Sequence, residues 1–157
     1  MRKLYDTDFA AWARDTVQLL RERRFEEIDL DALIEEVEGL ARADEHAMRS
    51  YLERLIEHLL KLTYASDVDF DRDQRGWRIS ARNARVKLLQ RTEQVPSLRG
   101  YPEQIVDSTY DVARYEAARV VDLNHLPDQC PWTVALMLSA DWEPLRQPAN
   151  TEPASGA

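Results

Sequence analysis

Apolar residues recur at spacings of three and four along most of the chain, while period-2 Val-Ile-Thr runs are missing, so the pattern predicts helices. Phe9, Trp12, Ala13, Thr16 and Leu20 share one face of a first helix, capped by Asp6 or Thr7 and running to about Arg23. After a connector, Asp29 caps a long helical stretch from Leu30 to about Tyr64. It carries two stripes: Leu30, Leu33, Ile34, Val37, Leu40 and Ala41, then Met48, Leu52, Leu55, Leu59 and Leu62, with Tyr51 and Ile56 at the edge. The apolar phase shifts between Gly39 and Asp44. Either one long helix bends there or two helices meet with Asp44 as N-cap. With no proline at the shift, one long, bent helix is favoured.

Ser66 to Arg75 reads as a polar connector. A third helix, from about Arg72 to Thr92, turns Trp77, Ala81, Ala84 and Leu88 inward. Residues 95–100 form a turn. Pro102 then suits the first position of a fourth helix reaching about Leu123, with Ile105, Thr109, Val112, Ala113, Glu116, Ala117 and Val120 inward. Pro131 starts a short last helix, Trp132 to Leu138. From Glu143 the Pro-, Ala- and Ser-rich composition predicts a frayed end. The expected fold is all-α: an antiparallel bundle of four main helices with a short C-terminal helix. Residues 1–145 are expected to form one domain and 146–157 a flexible tail.

Composition narrows the function classes. At 157 residues a core needs no metal or disulfide staple. With 44% hydrophobic and 32% charged residues the chain fits neither a disordered nor a membrane protein. A net charge of −8 argues against an obligate nucleic-acid binder. One cysteine excludes an intramolecular disulfide, and the opening residues lack the apolar segment of a signal peptide. A cytoplasmic location is therefore expected.

Several separated blocks resemble a known family. Leu33-Ile34-Glu35-Glu36-Val37-Glu38, Glu57-His58-Leu59-Leu60-Lys61 and Gly76-Trp77-Arg78 look like the bacterial family called domain of unknown function 29. Tyr5-Asp6-Thr7-Asp8-Phe9 with Trp12, and Cys130-Pro131-Trp132-Thr133, fit it too. The similarity spans roughly residues 4 to 145. It implies a small helical bacterial protein and brings no catalytic set with it. Leu62-Thr63 departs from the pattern, in which an aromatic residue often follows the lysine.

Four groups of residues invite chemistry. Glu35 and Glu38 share a helix face, as metal-binding carboxylates of helical bundles do. Di-iron bundles need Glu-x-x-His twice, which neither His46 nor His58 supplies. Magnesium-dependent helical nucleotide pyrophosphohydrolases resemble this chain at Glu35-x-x-Glu38, but they need a Glu-x-x-Asp on the next helix, and here that helix is basic. A solvated acidic face is the simpler reading. His58 falls beside Tyr51 at the edge of the Leu52–Leu55–Leu59 stripe, where a histidine either acts as a base or hydrogen-bonds a neighbouring helix near Trp77. Cys130 stands at the expected start of the last helix, where the helix dipole would lower a thiol pKa, five residues after His125. A buried or capping cysteine is the simpler reading there.

The charge distribution is the most distinctive feature. Residues 72–91 hold seven basic side chains against one acid, Asp73. Arg75, Arg78, Arg82 and Arg85 form a ridge. Residues 26–45 hold nine acids and one base, Arg42. The match favours pairing of the ridge with the acidic segment, within the bundle or across a dimer, over phosphate tracking. The resulting expectation is a non-catalytic, cofactor-free module that self-associates or binds a protein partner, with Arg75, Arg78, Arg82 and Arg85 as interaction residues. A metal-dependent nucleotide or phosphoester hydrolase using Glu35, Glu38 and His58 is the alternative. A nucleic-acid-associated factor using the ridge is the second.

Overall fold

The first helical stretch divides at Asp8. In the computed structural model, which describes residues 2–148, α1 (Arg2–Thr7) ends there and α2 (Phe9–Arg21) begins. Asp8, rather than Asp6 or Thr7, caps α2: its carboxylate accepts the Ala11 amide at 2.9 Å. The helix stops at two reverse hydrogen bonds, Arg24 N–H to Leu19 O at 3.0 Å and Arg23 N–H to Leu20 O at 3.2 Å. This termination requires a left-handed residue, and Arg23 supplies it with φ 58°.

Leu30–Tyr64 is one 35-residue helix, α3, rather than two. Asp29 caps it through the Ala32 amide at 3.2 Å. The expected connector after it is largely helix. Ser66 accepts the Asp69 amide at 3.2 Å, and Asp67 and Asp69 place negative charge in the first turn, so α4 runs Asp67–Gln94 and starts five residues early. After a 3₁₀ turn, α5 covers Tyr101–Ala117, ending short of Leu123. The last helix, α6, is Val134–Leu138; Thr133 caps it, accepting the Leu136 amide at 3.3 Å. The described chain is an all-α helical bundle.

The described residues fall into two compact units divided between Ala43 and Asp44. In the first, Tyr5, Phe9 and Trp12 cluster, Tyr5 and Trp12 edge to face with centroids 4.8 Å apart and Phe9 tilted against both. Trp12, Thr16, Ile28 and Ala32 are buried. Here α3 turns its Ala32–Glu36 side inward, where the Tyr5 hydroxyl donates to Glu36 Oε1 at 2.6 Å. The opposite side carries the first apolar stripe, which is therefore not core: Leu30, Ile34, Val37 and Leu40 are 54, 54, 58 and 73% exposed.

The second unit holds the main core. Met48, Leu52, Leu55, Leu59 and Leu62 of α3 pack with Trp77, Ala81, Ala84 and Leu88 of α4, Ile105, Tyr110 and Ala113 of α5, and Met137 of α6. Contacts of Asp44 with Arg91 and Tyr51 with Lys87 make α3 and α4 an antiparallel hairpin. Val112, expected inward, is exposed, whereas Tyr110 is buried and donates to Pro127 O at 2.6 Å. Trp132 and Trp142 meet edge to face at 5.8 Å.

The chain after Asp141 is tied down further than expected. Glu143 binds Arg78 at 2.7 Å. Arg146 donates to Ala65 O at 3.3 Å and lies 3.7 Å over the Phe70 ring, and Gln147 N–H reaches Thr63 O at 2.7 Å. The expected frayed end is held by these contacts as far as Gln147; the rest of it, residues 149–157, lies outside the described residues.

Candidate functional site

Arg75, Arg78, Arg82 and Arg85 do not act as one ridge. Arg85 turns inward and is buried, donating to the carbonyls of Met137 at 2.7 Å, Trp142 at 3.2 Å and Ala140 at 3.4 Å. It closes the α6 end, where carbonyls lack helical partners. Burial pulls its pKa down and Glu143 opposes the shift. Arg78 is held by both carboxylate oxygens of Glu143 and by Gln74. Within the second unit, the arginine of α4 that meets the acidic segment is Arg91, bound to Asp44 at 2.9 Å, outside the four. Arg75 and Arg82 remain exposed on α4.

The expected polar site divides as well. Glu35 and Glu38 are exposed in the first unit, Glu38 paired with Arg42 at 3.3 Å. Among the described residues, no group of three or more His, Cys, Asp or Glu side chains is placed to hold a metal ion. His58 and Trp77 belong to the second unit; Trp77 is buried core. His58 is half-buried, with Nδ1 buried and without a hydrogen-bond partner among the described residues. Burial lowers its pKa first; Glu57 raises it, and Lys61 and Arg54 lower it. One turn on, Lys61 is buried and bound to Glu57 at 2.5 Å.

Cys130 lies four residues before α6, too far for the helix dipole to reach it. Burial raises its thiol pKa, and Sγ donates to Trp132 O at 3.4 Å. It is a half-buried thiol held against the backbone of its own segment.

Sequence reasoning passed over a groove between α3 and α4, about 250 Å³ in volume, lined by Ser50, Tyr51, Arg54, Ser80, Asn83 and Lys87. Its signal is polar residues at i, i+4 on α3 and i, i+3, i+7 on α4. That signal means nothing until the hairpin register sets the two helices face to face.

With this geometry in place, the family model described as Domain of unknown function DUF29 matches residues 4–143. The chain belongs to that family. No curated protein and no solved structure matches the chain. The blocks Glu57–Lys61 and Gly76–Arg78, which carry the DUF29 resemblance, thus sit on the two helices of the hairpin. Among the described residues no helix is long and apolar enough to cross a membrane.

Proposed function

We propose that this DUF29 chain is a non-catalytic module that self-associates. The acid-edged apolar stripe at the start of α3 in one copy takes up the basic, apolar face of α4 in a second copy. The observation that carries this reading is the exposed stripe itself. Leu30, Ile34, Val37 and Ala41 fall on one helix face with Leu40 at its edge, and all are exposed. A contiguous apolar patch of this kind marks an interaction surface in a folded protein. Asp31, Glu35 and Glu38 border it. On α4, Arg75, Ile79, Arg82 and Val86 share a face at i, i+4, i+7, i+11, and all four are exposed. One surface is acidic and apolar, the other basic and apolar, so the match within the molecule's own sequence favours a second copy over an unrelated partner.

Sedimentation equilibrium tests this directly. Wild-type protein should associate with rising concentration; Glu38→Arg and Arg82→Glu should each weaken association, and the pair together should restore part of it. Added salt should weaken it mildly, because screening acts within about 8–10 Å. A protein that stays monomeric at every attainable concentration overturns the reading. Salt-sensitive retention on RNA or DNA that Arg82→Glu removes would favour the nucleic-acid alternative instead.

A further inference from the structure

The α3–α4 groove combines cations, hydroxyls and an amide with no carboxylate. Arg54 and Lys87 face it from opposite helices, with Ser50, Ser80 and Asn83 between and the Tyr51 ring at one wall. Neither cation belongs to an ion pair among the described residues, although the chain carries a net charge of −8. Of the two acids flanking Arg54 on α3, Glu57 is already bound to Lys61, and Glu53 forms no ion pair with Arg54 among the described residues and does not line the groove. Lys87 instead rests 5.6 Å over the Tyr51 ring, a contact that fixes its ammonium at the groove wall and leaves its donors free. In an acidic protein, unpaired cations beside neutral donors form a local positive field that selects anions.

We propose that this groove binds a small phosphate-bearing anion, free phosphate or a phosphate monoester. Arg54 presents a fork of donors suited to phosphate oxygens, Lys87 a second charge, and Ser50, Ser80 and Asn83 neutral donors for the remaining oxygens. The volume of about 250 Å³ lies below that of ordinary drug-sized sites, which favours a compact ligand over a nucleotide. On α4 the groove residues Ser80, Asn83 and Lys87 lie on a different side from Arg75, Ile79, Arg82 and Val86. The site therefore stands or falls independently of self-association.

Titration with inorganic phosphate and with phenyl phosphate, followed by nuclear magnetic resonance of the Asn83 side-chain amide and by calorimetry, tests the proposal. Saturable binding of at least one is expected, with one site per chain. Arg54→Gln and Lys87→Gln should each weaken it about tenfold or more. Arg75→Gln and Arg82→Gln, outside the groove, should leave it unchanged. Tighter binding of phenyl phosphate would identify a monoester as the occupant, with Tyr51 receiving its organic part; equal affinities would identify the phosphate group alone. Both support the site. Absence of saturable binding by either probe, or equal losses from Arg82→Gln and Arg54→Gln in variants with intact circular dichroism, would overturn it.

Discussion

Arg85 shows how a residue's role is set by what it meets. Its guanidinium, buried in the second unit, replaces water for three carbonyls around the end of α6. Arg85→Met keeps the stem but leaves those carbonyls without a donor, so unfolding in urea should show a loss of about 2–3 kcal/mol. Arg82→Met, three residues away and exposed, should stay within about 0.5 kcal/mol of wild type. His58 gives a pH signature. Burial lowers its folded-state pKa below the ordinary 6.5, so in the window between the two values the unfolded chain binds more protons. Stability carried by the neutral imidazole is whole above 6.5 and falls as pH drops from there towards the folded pKa. Urea unfolding of wild type and His58→Gln between about pH 7.5 and 5.5 should show the wild type losing more stability on acidification.

At the scale of elements, α3 carries two apolar stripes with the same periodicity and opposite fates. Leu55 is fully buried in the core of the second unit, so Leu55→Ala should cost about 2–5 kcal/mol in thermal or urea unfolding. Ile34 is 54% exposed, and Ile34→Glu should leave monomer stability within about 0.5 kcal/mol while disrupting association. Equal destabilisation by both would place the first stripe in a core. The start of α4 makes a related point. Ser66 followed three residues later by Asp69 is a capping pattern, but Asp69, Asp71 and Asp73 make the segment look like a loop by composition. The cap, with the carboxylates of the first turn, decides for helix.

At the scale of the molecule, the segment after Asp141 fastens the turn end of the hairpin. Glu143 holds Arg78, Arg146 reaches Ala65 and Phe70, and Gln147 bonds Thr63 across the turn between α3 and α4. Ending the chain after Asp141 removes all of these together with the Trp132–Trp142 contact. A loss of about 2 kcal/mol corresponds to a melting temperature lower by about 4–8 °C, and differential scanning calorimetry should show a drop of that order. No change would mean that these contacts contribute nothing net.

Elements under the control of local physics are legible in the residues alone. Periodicity of three and four, few glycines and late prolines specify an all-α chain, and the Met48–Leu62 and Trp77–Leu88 stripes mark apolar faces that the structure buries. Separated blocks from Tyr5 to Thr133 were enough to indicate the family. Tertiary structure decided which charges and which apolar faces find partners. Four arginines at helical spacing look equivalent, yet Arg85 turns inward, Arg78 pairs with Glu143, and Arg75 and Arg82 stay exposed, because carbonyls and carboxylates from residues 137–143 arrive at two of them. The first stripe of α3 resembles core until α1 packs against the opposite side of that helix. The groove of Arg54 and Lys87 exists only once the hairpin fixes its register, because a helix displays spacing along itself and carries no record of what will face it.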